Sequence, residues 1–521
     1  MASLLPRGVR VASLKTCLKG LPTRNVRFLS IPRQTSTHFP STPILPSLWR
    51  TQRAQQNIWR TASTLVTPLR HTSNFFTSAT NPAALASAAQ SLPNSPASTH
   101  TTSDSASDLP PVSGPAVTRW LFLSAGLVFA IVVVGGVTRL TESGLSIVEW
   151  RPITGTLPPL SQAEWEAEFD KYKTSPEFKT MNHSITLEEF KRIFFWEYLH
   201  RLLGRVIGLG FVVPLTYFAL RRNRLTPGSL PFYSFLALLI GGQGALGWYM
   251  VKSGLRDEII TNKEVARVSQ YRLAAHLSMA LALYVGMLSA AFSTRNDWRW
   301  KTQGSWSKLT GAEPWKKILE NPAVRRFKGA AMALSCLVFL TAFSGAFVAG
   351  LDAGLIYNEF PMMGEHIIPP ISELLSPFYS RASDQSDLWW RNIFENPTTV
   401  QFDHRLMGTT TYTATTLLYL STLLHPTLRA TLPPLTRHLA MSAFLMANIQ
   451  VALGISTLLY LVPVPLAAAH QGGSVLLLTT MVALMASLRA PGRAARLWRA
   501  ATVGKRTSER TQSAQSFTSL R

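Results

Sequence analysis

Eight apolar runs, each close to the ~20 residues a membrane helix needs, constrain this chain more than any other feature. They are Trp120–Leu140, Phe194–Leu220, Leu230–Val251, Tyr271–Phe292, Gly329–Leu351, Gln401–Leu424, His438–Leu461 and Ala467–Leu488. Inside lipid every backbone N–H and C=O needs a partner within the segment, so such runs become helices. Val462-Pro463-Val464-Pro465 separates the last two, because proline and the residue before it resist helix continuation. The second run reads as the weakest, since Glu197, His200, Arg201 and Arg205 occupy its first half. Charge agrees with a membrane protein: 15% of the 521 residues are charged, yet the net charge is +24. Soluble domains carry roughly 25% charged residues. Two cysteines, Cys17 and Cys336, exclude a disulfide scaffold and argue against zinc-ribbon or iron–sulfur chemistry.

The positive charge is unevenly placed. No acid precedes Asp104, while eleven basic residues do, among many Ser, Thr and Pro. That is the composition of a mitochondrial presequence, favoured here over a basic tail that binds nucleic acid or anionic lipid. Arg221, Arg222 and Arg224 follow helix 2, nine basic and three acidic residues lie between Arg295 and Lys328, and Arg429 and Arg437 follow helix 6. The loops after helices 1 and 5 are acidic, from Glu164 to Glu189 and from Asp352 to Asp403. The positive-inside rule then puts both termini in the matrix and the acidic loops in the intermembrane space, as an even number of spans requires.

The chain also repeats itself. Gly135 to Leu145 lines up with Gly345 to Leu355, pairing Glu142 with Asp352. His200-Arg201-Leu202-Leu203-Gly204 lines up with His404-Arg405-Leu406-Met407-Gly408. Gln243 to Gly247 lines up with Gln450 to Gly454, and Ala274-Ala275-His276 with Ala468-Ala469-His470. Order is kept and four spans separate the copies, so this is a parallel repeat. The expected fold is an all-α membrane protein whose eight transmembrane helices form two pseudo-symmetric four-helix bundles. The expected organisation is a presequence and spacer over 1–115, an N-terminal bundle over 116–294, a basic loop over 295–326, a C-terminal bundle over 327–490 and a basic tail over 491–521.

Of eleven histidines, His200, His276, His404 and His470 fall near the starts of the even-numbered helices, at similar depth. An ionisable group within a span points to function. Two imidazoles on facing helices of a bundle can ligate a haem iron axially. His200, Gly204 and Gly208 share one helix face, where a flat macrocycle could lie; close helix packing is the other reading of such glycines. Arg201 and Arg405 either bind carboxylates such as haem propionates or reach toward the interface. Glu197 shares the His200 face, and Gln401 stands at its counterpart. Glu-x-x-His also occurs in di-iron bundles, but no second such motif is present. The difference points to chemistry in the first half and a fixed cofactor in the second.

These motifs resemble the haem A synthase family in its mitochondrial form. The resemblance rests on Gly135 to Ser146 with Trp150 to Pro159, on Glu197-Tyr198-Leu199-His200-Arg201, on Gly350-Leu351-Asp352-Ala353-Gly354 with Tyr357-Asn358 and Phe360-Pro361, on Phe402-Asp403-His404-Arg405, and on Ala469-His470-Gln471. It covers roughly residues 117 to 490. It implies an oxidoreductase acting on a CH group: the methyl of haem O becomes the formyl of haem A for cytochrome c oxidase, with water as oxygen source. It implies that His200 and His276 frame the substrate haem, with Glu197 assisting catalysis, and that His404 and His470 ligate a prosthetic haem B. Arg139, Arg201, Arg405, Gly204 and Gly208 join as substrate or propionate contacts.

The implied setting is the mitochondrial inner membrane. Haem O synthase, a ferredoxin-type electron partner and cytochrome oxidase assembly factors are the implied partners, homo-oligomerisation fits, and nucleic acid does not. Some bacterial members carry a cysteine pair in the outer loop after helix 1; here that loop has none, so electrons need another route. The competing function is a di-haem, cytochrome b-type electron carrier, which gives no reason for Glu197 and Gln401 to differ.

Overall fold

The computed structural model describes residues 109–518, apart from 152–154, 156, 222, 257, 259–265 and 311–313. Of the expected presequence and spacer over 1–115, residues 1–108 lie outside the described residues; the end of the spacer is described, with Val112 and Ser113 buried and α1 beginning at Pro115. All eight expected runs are helical: α1 Pro115–Leu140, α2 Leu187–Leu220, α3 Ser229–Gly254, α4 Gln270–Gln303, α5 Pro322–Gly350, α6 Pro397–Leu424, α7 Pro434–Leu459 and α8 Val464–Ser487. Seven of them are long and apolar enough to cross a membrane; α6 is not. The weakest run is therefore the sixth, not the second as the sequence suggested. Threonine is the cause. Thr409, Thr410, Thr413, Thr415 and Thr416 depress the apolar character of α6, yet each hydroxyl donates to a carbonyl three or four residues earlier. A hydroxyl satisfied within its own helix costs far less in lipid than a bare one.

The helix starts are written locally. Asn321 and Asn396 cap α5 and α6 through their side chains, each followed by proline at the first helical position. Thr186 and Glu189 form a capping box at α2. The proline pair ends α7 at Leu459 and lets α8 begin at Val464, with Leu461 and Val462 both left-handed between them.

α1 packs on α2 and α4, and α3 on α2 and α4. In the second half α5 packs on α6 and α8, and α7 on α6 and α8. The halves meet through α1, α4, α5 and α8. These four carry most of the buried apolar core, including Leu121, Val128, Met287, Ala331, Met481 and Leu484. The flanking helices instead expose large apolar side chains, such as Leu209 and Val213 on α2, Leu238 on α3, Leu417 on α6 and Ile449 on α7. An apolar surface of that extent has hydrocarbon as its natural solvent.

The two ends differ. At one, Val112 packs with Trp300, Trp306, Trp315 and Ala495, gathering the chain before α1, the α4–α5 connection and the C-terminal helix α9, Arg493–Thr518. The expected loop over 295–326 is thus shorter: α4 continues to Gln303, and a two-stranded hairpin (Ser305–Trp306 with Leu309–Thr310) and a helix, Pro314–Glu320, fill it. At the other end the loop after α1 folds helices Gln162–Lys173 and Pro176–Thr180 onto α2, through Phe169, Tyr172, Phe190 and Phe194.

Candidate functional site

His200 of α2 faces His276 of α4 with ring centroids 6.4 Å apart, and His404 of α6 faces His470 of α8 at the same 6.4 Å. The planes cross at 51° in the first pair and 90° in the second. Metal–imidazole bonds are ~2.0–2.1 Å, so two of them plus two ring radii span about this separation. Among the described residues no three His, Cys, Asp or Glu converge on a point where a bare metal ion could sit. Two opposed imidazoles suit an iron whose other four ligands belong to a macrocycle.

Each ring rests on a glycine of the preceding odd-numbered helix. A methyl placed on Gly135 would lie 2.8 Å from Cε1 of His200, and one on Gly345 3.2 Å from Cε1 of His404. Gly247 stands 3.5 Å from His276 and Gly454 3.0 Å from His470 by the same measure. Gly135 pairs with Gly345, and Gly247 with Gly454, in the sequence repeat. The repeat exposed these glycines, but sequence alone did not connect them to the histidines. The glycines singled out for a macrocycle are less crowded. A methyl at Gly204 would meet only Ile131, at 3.8 Å, and one at Gly208 only Ile240, at 4.0 Å; Gly408 has nothing within 4 Å.

Glu197 is buried and accepts three hydrogen bonds: Ser146 Oγ at 2.7 Å, Ile147 N at 2.8 Å and Arg201 Nη2 at 2.6 Å. Arg201 also donates to the carbonyls of Ile147 and Glu149 and lies over the Trp150 ring. The pair therefore ties the strand of loop after α1 to α2. The second half repeats the device with neutral chemistry. Gln401 Nε2 donates to Tyr357 O at 2.9 Å, and Arg405 donates to Tyr357 O and Met362 O. Sequence reasoning offered propionate binding or interface seeking for the two arginines; loop bracing is a third use that it missed. Nε of Arg405 and Oε1 of Gln401 remain buried without a partner among the described residues.

Arg139 leaves the histidines altogether. Its Nη2 donates to Asp352 Oδ1 at 3.0 Å and to Gly350 O, joining the end of α1 to the end of α5. Gln471, next to His470, donates to Val132 O and lies against Gly136, so α1 and α8 cross closely.

The model of the family described as "Cytochrome oxidase assembly protein" (COX15-CtaA) matches residues 118–482. The chain belongs to this family. The matched region contains all four histidines, Glu197 and the four ring-bearing glycines. The chain is 46% identical over 380 residues to "Heme A synthase COX15" of Saccharomyces cerevisiae, covering 72% of this chain and 76% of that one. It is 48% identical over 373 residues to "Heme A synthase COX15" of Homo sapiens, covering 72% and 82%. It is 44% identical over 375 residues to the "Heme A synthase-mitochondrial ferredoxin fusion protein" of Schizosaccharomyces pombe, covering 71% of this chain and 59% of the fusion. Family membership and the paired histidines thus come from independent observations.

Proposed function

We propose that this protein converts haem O to haem A, oxidising one methyl group to a formyl group. The observation that carries the reading is the pair of opposed imidazole pairs, equal in ring separation and built on repeat-related helices. Balanced with water as oxygen source, R–CH3 and H2O give R–CHO, four protons and four electrons. In this reading His200 and His276 hold the substrate, and His404 and His470 hold haem B. When bound, haem B supplies a one-electron redox centre that the protein tunes but does not create. Its residues position and insulate. The glycines at 135, 247, 345 and 454 set how deep each imidazole lies, and Gly204 and Gly208 leave room for the macrocycle face.

Glu197 is the carboxylate of the first site, held still by three donors and placed three residues before His200. A carboxylate fixed in that way is a proton acceptor at a defined position, and Gln401 cannot take that role. Arg405 offers its unpartnered Nε to a propionate, whereas Arg139 and Arg201 are already paired with Asp352 and Glu197.

The reading extends to topology. Eight spans form two pseudo-symmetric four-helix bundles in the mitochondrial inner membrane, with both termini in the matrix. Support comes from the like packing of α1–α4 and α5–α8 and from the internal hydroxyl bonding of α6. A ferredoxin-type protein is the proposed electron partner, supported by the fused relative. Pigment extraction from the purified protein tests the function. Haem B together with haem A or hydroxylated haem O is the expected result. Haem B alone, with normal haem A in cells lacking the protein, would overturn it and favour the electron carrier.

A further inference from the structure

The two sites differ at one atom on the back of the histidine. Ser344 Oγ lies 2.7 Å from Nδ1 of His404 and also donates to Thr341 O at 2.8 Å. Because that hydroxyl proton goes to the carbonyl, the oxygen presents lone pairs to the ring. That arrangement assigns the His404 proton to Nδ1, donated to Ser344, and keeps the Nε2 lone pair for a metal. The repeat puts Val134 where Ser344 stands, and Ile131 where Thr341 stands. The valine side chain has no oxygen to accept a hydrogen bond from the ring. Accordingly Nδ1 of His200 is buried and meets no partner among the described residues, while the second histidines, His276 and His470, are alike in having a buried, unpartnered Nδ1.

We propose that Ser344 is a positioning residue that makes His404 a permanent iron ligand, and that valine at the equivalent Val134 leaves His200 a weaker, exchangeable one. The inference rests on the reading of the two pairs as haem sites. A hydrogen bond to the back nitrogen fixes the tautomer and ring orientation and raises ligand basicity; removing such a partner typically costs roughly 10–100-fold in metal affinity. A resident cofactor is held more firmly by that bond on one of its two ligands. A substrate that must leave as product after each cycle is better served without it. The chain thus builds retention and release from one framework by a single hydroxyl.

The test uses the full chain purified with its haems, as wild type, Ser344→Ala, Ser344→Thr and Val134→Ser. Haem loss to excess apo-globin is timed, and the haem released is identified chromatographically: haem B reports the second site, haem O or A the first. The reduction midpoint of the retained haem B is measured alongside. Ser344→Ala is expected to speed haem B loss by roughly 10–100-fold and to raise its midpoint, because a less basic imidazole stabilises the oxidised iron less. Ser344→Thr is expected to restore both. Val134→Ser is expected to slow loss of haem O or A while leaving haem B unchanged. Loss rates and midpoint unchanged in Ser344→Ala and Val134→Ser, with both haems present in the wild type, would overturn this inference alone. A wild-type chain that binds no haem would overturn the reading of the sites and this inference with it. Should Ser344→Ala fail to fold, Val134→Ser decides the matter by itself.

Discussion

Gly135 and His200 stand so close that a methyl on the glycine would lie 2.8 Å from the imidazole. The neighbouring Gly136 points elsewhere, toward Gln471 of α8. Alanine at either position overpacks a helix crossing, at a typical cost of ~1–3 kcal/mol, but the consequences separate. Gly135→Ala is expected to displace His200 and cut turnover tenfold or more while haem B stays bound. Gly345→Ala is expected to loosen His404 and lower haem B content. Gly136→Ala is expected to lower the thermal midpoint without a selective loss of either pigment. Pigment stoichiometry in the three variants checks this; equal loss of both haems in all three would show that the glycines serve packing alone.

Glu197 braces the loop after α1 and, in the proposed reading, also serves the reaction; one substitution probes both. Glu197→Gln keeps the shape but opposes an uncharged amide to Arg201 and offers one acceptor oxygen where the carboxylate has two. Haem B content is expected to stay near wild type, and turnover to fall at least tenfold. Proteolysis of the loop around Ser146 to Trp150 reports the bracing separately. Unchanged turnover with a loosened loop would confine Glu197 to bracing.

What was legible in the sequence was whatever repeats with a helical period. The four histidines, their pairing by helix and the glycines at matching offsets all follow from apolar runs and internal alignment. The limits of α4 did not, because roughly its last three turns leave the apolar run and continue through Trp298 and Trp300 into a tryptophan cluster. Nor did the duties of Arg139, Arg201 and Arg405, because their partners are loop carbonyls and a carboxylate distant in sequence. Backbone acceptors leave no trace in residue type. The rank order of the helices was misread for a related reason: hydropathy penalises the threonines of α6 as though their hydroxyls were exposed.

Glu177 gives the loop after α1 a pH dependence. It is buried, Tyr172 Oη donates to it at 3.0 Å, and Asn182 donates to the same phenol oxygen. Burial pushes its carboxyl up to about 8, with the nearby Glu197 adding to the rise. An unfolded glutamate titrates near ~4.3. Between those values the folded chain holds a proton that the unfolded chain has released, so stability falls as pH rises through this window and is level outside it. The slope is at most ~1.4 kcal/mol per pH unit. Thermal midpoints of the purified protein between pH 5 and pH 8.5 are expected to decline, and Glu177→Gln to flatten the decline. An identical slope in the variant would place its origin in other groups.

Asp352 joins the two halves where α1 and α5 end. It accepts from Arg139 at 3.0 Å and pairs with Arg267 at 2.6 Å, while Glu142, its counterpart in the repeat, lies 4.0 Å from Arg267. Both acids have left-handed backbones, φ 50° at Asp352 and 51° at Glu142. Alanine at 352 would therefore remove the charge and strain the turn together. Asparagine tolerates that conformation, so Asp352→Asn isolates the charge. Arg139 is only 15% exposed and would lose its sole carboxylate among the described residues. A cycle of Arg139→Gln, Asp352→Asn and the double variant is expected to show a coupling of ~0.5–3 kcal/mol, the range for residues in direct contact. Glu142→Gln is expected to cost less, since its contact with Arg267 is longer and both side chains are more exposed. Additive effects of Arg139→Gln and Asp352→Asn would mean that the halves are held by the α1–α8 and α4–α5 crossings and not by this junction.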